Sequence, residues 1–128
     1  MGAISVPVAG GDAGLSPFRE SLTVEEYVRE YFEEVPILTE IARCESRFRH
    51  FDAFGNVMRG EINSYDIGVM QINELYHEEK AEELGLNLYT LAGNLTYARY
   101  LYDTKGTAPW KSSAACWNAY NNHVAINQ

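Results

Sequence analysis

A chain of 128 residues with 46% hydrophobic and 22% charged side chains is long enough for one globular domain with its own core and too short for a second, and that balance suits neither disorder nor a fibrous repeat. Its formal net charge of -8, with no Lys/Arg cluster, argues against a nucleic-acid binder that displaces counterions from phosphate, and also against capture of an anionic wall polymer by charge. No run of about eighteen apolar residues is present, so no membrane span is expected.

Residues 1–20 read as a flexible lead-in to a domain at 21–128. Met1 to Val8 lack the basic start and apolar centre of a secretory signal, and Gly10-Gly11-Asp12-Ala13-Gly14 suits a flexible segment or the scar of a removed signal. Met1-Gly2 begins like a myristoylation site, but Val6 stands where Ser or Thr is required. Order begins at a capping box, Thr23 with Glu26, which opens a predicted helix over Val24 to Glu33 with Val24, Tyr27, Val28, Tyr31 and Phe32 on its apolar side. Pro36 suits the first turn of a second helix.

That second helix carries the most informative residue of the chain. Leu38, Ile41, Ala42 and Phe48 fall on one stripe, and Glu45 borders it, four residues after Ile41 and three before Phe48. A carboxyl held against apolar neighbours loses hydration, its pKa rises, and it stays protonated long enough to give its proton to a leaving oxygen. The structural alternative is a glutamate that snorkels to water or pairs with Arg49 at i+4.

Helical periodicity fades from His50 to Asp66, where Gly55-Asn56 and Gly60 break the pattern, and the short apolar runs suit a two- or three-stranded flap. Asp52, Glu61 and Asp66 are the acids of this stretch, each an ordinary loop acid unless it serves as a second carboxylate. In Ile67-Gly68-Val69-Met70-Gln71-Ile72-Asn73, the glycine implies close approach of backbone or ligand, and the amide of Gln71 implies a buried partner. Asn73 caps a predicted helix from Glu74 to Leu84 that stops at Gly85, and another runs from about Leu91 to Thr104. After Pro109, Ser112 or Ser113 is expected to cap a last helix through Tyr120. Nine tyrosines and two tryptophans exceed what packing alone requires and suit a sugar-binding cleft, although any single ring is as well explained by the core. Cys44 and Cys116, 72 positions apart, lack the spacing of a zinc site; they either form a disulfide, pointing to an exported protein, or are two buried thiols. No calcium loop is present and no metal or other cofactor is expected.

Taken together, Glu45-Ser46 with Phe48, Gly68-Val69-Met70-Gln71-Ile72, Asn94-Leu95 with Tyr97-Ala98-Arg99-Tyr100-Leu101, and Ala114-Ala115-Cys116-Trp117-Asn118-Ala119 form a series that resembles the ordered motifs of soluble lytic transglycosylases, over about Pro36 to Tyr120. The resemblance implies a mainly α (α+β) lysozyme-like fold, related to goose-type lysozymes, with about five helices and a small β-flap. It implies Glu45 as the catalytic acid and later base, and Ser46, Gly68, Met70, Gln71, Tyr97, Trp117 and Asn118 as substrate-binding residues. The chain departs from the family pattern at Trp117, where the family has tyrosine, at Tyr120, where it has glycine, and at Asp66, where it has a small apolar residue.

The activity implied is cleavage of the MurNAc-GlcNAc β-1,4 bond of peptidoglycan glycan strands. The glutamate protonates the glycosidic oxygen, the 2-acetamido group supports the oxocarbenium-like centre, and the resulting carboxylate takes the C6 hydroxyl proton as that oxygen closes a 1,6-anhydro ring. Such a substrate implies an extracytoplasmic location. A lysozyme-type hydrolase needs a second carboxylate across the sugar, for which Asp66 and Glu61 are the candidates. A glycan-binding module that kept the cleft without turnover is the alternative outside enzymes.

Overall fold

The computed structural model describes residues 22–119. Helices dominate: α1 (Val24–Tyr31), α2 (Pro36–Ser46), α3 (Glu74–Glu83), α4 (Leu91–Lys105), a 3-10 helix (Ala108–Ser113) and helical residues 114–119, here α5, with one small antiparallel sheet of β1 (Asp66–Ile67) and β2 (Ile72–Asn73). The mainly helical expectation holds. The boundaries follow local chemistry. Thr23 and Glu26 form the reciprocal capping box, Pro36 opens α2, and the Asn73 side chain accepts from the Tyr76 amide at the head of α3. α1 ends at Tyr31, two residues short of the expected Glu33. α2 ends at Ser46 because Arg47 and Phe48 both take left-handed backbone angles, φ 55° and 60°, which bend the chain towards the flap.

The flap between α2 and β1 is a short meander. The Met58 amide donates to the His50 carbonyl at 2.8 Å, the Gly68 amide to Met58 at 2.8 Å and the Gly60 amide to Asp66 at 2.9 Å. Single bridges pair Phe51 with Val57 and Arg59 with Ile67, so among the described residues regular strands form only at β1 and β2, where Asp66 faces Asn73 and Ile67 faces Ile72.

The core collects Leu38, Ile41 and Ala42 from α2, Leu95, Ala98 and Leu101 from α4, Val28 from α1, and Ile67, Val69, Met70 and Ile72 from the hairpin. Burying the hairpin turn 68–71 removes its peptide groups from water, so each needs a partner inside the protein. The Val69 amide donates to His50 Nδ1 at 3.0 Å and the Met70 amide to Asn94 Oδ1 at 2.9 Å, while the Met70 carbonyl accepts from the Trp110 indole at 2.9 Å. Gly68 has φ 78°, and a Cβ there would lie 2.3 Å from Asn94 Nδ2 and 2.7 Å from His50 Cε1. Its close approach is to backbone-binding side chains of the core. Cys44 and Cys116 form a disulfide with Cα atoms 6.0 Å apart, which ties α2 to α5 and resolves the two alternatives left open by their spacing.

Candidate active site

The last turn of α2 forms one wall of a cleft of about 360 Å³ lined by Glu45, Ser46 and Arg49, by Met58 to Asn63 of the flap, by Asp66 and Gln71 of the hairpin, and by Ser112. The sequence-predicted residues Glu45, Ser46, Gln71, Glu61 and Asp66 therefore share one surface. Gly60 allows the flap to close on that surface: a Cβ there would stand 2.6 Å from the Asn63 carbonyl and 2.8 Å from Gln71 Oε1. Gln71, at φ 52°, donates through Nε2 to the Gly68 carbonyl at 3.0 Å.

Glu45 is half-buried on this wall. Burial pushes its pKa up, the hydrogen bond from Ser113 offsets part of that rise, and the nearby charge of Asp66 adds to it. Its place at the C-terminal end of α2, where unpaired carbonyls carry partial negative charge, favours the neutral acid as well. Ser113 Oγ lies 2.6 Å from Glu45 Oε2. Oε1 has no hydrogen-bond partner among the described residues, and no ion pair joins Glu45 to Arg49 among them; Arg49 Nε donates instead to the Ser46 carbonyl at 3.1 Å. The bland i+4 pair is thus not formed. Ser46 is buried, and its hydroxyl donates to the Ala42 carbonyl at 3.1 Å, so it contributes a cleft edge more than a free donor.

Behind Glu45 stand the two tryptophans. Trp117 is 5% exposed, and its indole nitrogen donates to the Trp110 carbonyl at 3.1 Å and to Ser113 Oγ at 3.1 Å. It touches the carboxylate's partner, not the open cleft. Other predicted contacts lie elsewhere. Gly68 and Met70 are fully covered in the core, because the hairpin turn that carries them is plugged by His50 and Asn94. Tyr97 is 1% exposed, with its hydroxyl 2.9 Å from His77 Nδ1, and it does not line the Glu45 cleft. Asn118 is exposed on α5 and does not line the cleft, and Tyr120 lies outside the described residues. Among the described residues no tyrosine lines the Glu45 cleft; Tyr89 lines an adjoining one with Asp52, Asn56 and Arg59. Asp52 is occupied there, accepting from the amides of Phe54 and Asn56 at 2.8 and 3.0 Å.

Ser113 is the residue that sequence reading assigned to another task. It was expected to cap α5, but the 3-10 helix runs directly into α5, so no orphan amides wait at that point, and the hydroxyl turns to Glu45 instead. Asp66 Oδ1 accepts from the Asn73 side-chain Nδ2 at 3.1 Å while facing the same cleft as Glu45. The arrangement provides one acid whose pKa is raised, a second carboxyl on β1, a fixed amide and two arginines around an open groove. No family model, curated protein or solved structure matches the chain.

Proposed function

We propose that the chain is a peptidoglycan lytic transglycosylase of lysozyme-like fold in which Glu45 is the general acid and then the general base. The observation that carries this reading is a half-buried carboxyl with a raised pKa, anchored through Oε2 and with no partner at Oε1 among the described residues, on the wall of a cleft that also holds Gln71. A proton retained by Glu45 passes to the glycosidic oxygen as the C1–O bond breaks, and the carboxylate left behind is suited to accept the C6 hydroxyl proton as O6 bonds to C1. With Nε2 tied to Gly68, Gln71 presents its amide oxygen to an acetamido N–H. The disulfide suits an extracytoplasmic protein that meets the wall outside the reducing cytosol.

Asp66 supports a second reading, a hydrolase of the lysozyme type, because it faces the same cleft and its charge acts on Glu45. Digestion of purified peptidoglycan followed by mass spectrometry of the released muropeptides separates the outcomes. Anhydro ends are expected. Reducing ends would transfer the assignment to the hydrolase, and a bound but undigested wall would leave a glycan-binding module.

A further inference from the structure

Ser113 has one hydroxyl proton and three polar neighbours: Glu45 Oε2 at 2.6 Å, the Trp110 carbonyl at 3.1 Å and the Trp117 indole nitrogen at 3.1 Å. The indole is a donor only, so Ser113 Oγ accepts from it, in a bifurcated bond whose other acceptor is the Trp110 carbonyl at 3.1 Å. That leaves the single Ser113 proton to choose between two acceptors, and the shorter contact, which is charge-assisted when Glu45 ionises, takes it. The chain of donors is therefore directional: Trp117 N–H to Ser113, Ser113 O–H to Glu45 Oε2. An oxygen that already receives a hydrogen bond is the less basic of the two, so the carboxyl proton resides on Oε1.

We propose that Ser113 is a positioning residue for Glu45, held in its donating orientation by the Trp117 indole, which keeps Oε2 an acceptor and reserves Oε1 for proton exchange with substrate. The inference rests on the reading of Glu45 as the acid. Ser113 is not among the residues that line the cleft; it acts through Glu45, fixing the carboxyl plane and the oxygen that carries the proton. No bond is made or broken at Ser113 itself. The other charged groups around the carboxyl, Arg49 after α2, Arg59 and Glu61 on the flap and Asp66 on β1, are untouched by changes at this position.

The test compares Ser113→Ala, Ser113→Thr and Trp117→Phe in the full chain. Ser113→Ala is expected to lower kcat roughly ten- to hundredfold, the range of a lost hydrogen bond to a charged group, with KM within about twofold. It also moves the alkaline limb of the pH–rate profile upward, because the ionised form of Glu45 loses its donor. Ser113→Thr keeps the hydroxyl and restores both readouts. Trp117→Phe keeps a ring but removes the N–H, and shifts both in the same direction by less. The pH midpoint of the Glu45 side-chain carboxyl, followed by carbon-13 NMR, reads the contact without turnover. It rises in Ser113→Ala and stays in place in Ser113→Thr. An unmoved midpoint in Ser113→Ala overturns the inference whatever the activity. A moved midpoint together with a fully active Glu45→Gln variant keeps the contact and overturns the catalytic reading of Glu45 instead.

Discussion

Two polar clusters meet near the end of α2, one around buried His50 and one around half-buried Glu45, and they are wired in opposite ways. In the core, His50 and Asn94 are fully covered, and each polar atom is used: His50 Nδ1 accepts from Val69 and Nε2 donates to the Tyr89 carbonyl at 2.8 Å, while Asn94 Nδ2 donates to the carbonyls of Ile67 and Leu88 at 3.1 and 3.0 Å. On the cleft wall, Glu45 has one oxygen engaged and one with no partner among the described residues. Both clusters contain titratable groups displaced by burial. The comparison teaches that a shifted pKa does not mark a site by itself: saturation makes the first cluster a scaffold, and residual bonding capacity makes the second a candidate for chemistry.

Substituting within the second cluster should cost function and leave the fold. Glu45→Gln is expected to reduce peptidoglycan cleavage by at least about a hundredfold, the lower part of the range for general acid catalysis. Its thermal midpoint should stay within a few degrees of the parent and move upward at neutral pH, since an amide replaces a half-buried carboxylate that is costly to ionise. Muropeptide release and thermal unfolding measured on one preparation decide this. Turnover that survived the change would remove the contrast between the clusters altogether.

The disulfide stiffens the same cluster from behind, since Cys44 precedes Glu45 and Cys116 precedes Trp117. Replacing both cysteines by serine is expected to destabilise the chain by roughly 4 kcal/mol in the chain-entropy account of a loop this long. Denaturant unfolding checks the size, and an unchanged midpoint would mean that α2 and α5 hold together without the bond. In the scaffold cluster, Gly68→Ala should cost about 3 kcal/mol or more, because the residue combines a left-handed φ with a Cβ driven into Asn94 and His50. Here stability falls first, and activity declines only with the folded fraction. A Gly68→Ala variant that folds normally but is inactive would place Gly68 with the chemistry and erase the difference between the two clusters.

Much of the frame was legible because its signals are local. The Thr23–Glu26 box, Pro36 at the start of α2, the Asn73 cap and the stripe of Leu38, Ile41 and Ala42 act within one or two turns, and the helices follow them. The position of Glu45 beside that stripe was legible for the same reason. Ser113 was not, because its partner is 68 residues away and its own neighbourhood advertises a cap. The resemblance implied Tyr97, Met70 and Gly68 as substrate contacts, whereas the structure buries all three under His50, Asn94 and His77, partners distant in sequence that no local pattern reveals. The aromatic excess likewise pointed to a sugar cleft, yet the rings of Trp110, Trp117 and Tyr97 are packed inside.

The smallest effect expected is also the one that separates the clusters by sign. Burial lowers the pKa of His50 below its ordinary value of 6.5, so the folded chain resists protonation while the unfolded chain accepts it; stability present above that pH is lost as the pH falls below it towards the folded value. Glu45 acts the other way. Its folded pKa is raised, so the fold prefers the protonated acid, and acidification through that folded value restores stability that ionisation had removed. Urea unfolding of the parent chain from pH 7.5 down to 4.5, the ordinary value of a glutamate, should therefore show a shallow decline in which the two partly cancel. In Glu45→Gln the compensating group is gone, and the decline should steepen. Equal slopes for the two proteins would mean that Glu45 titrates as an ordinary surface carboxylate, with no preference for the proton that the cleft is argued to hold.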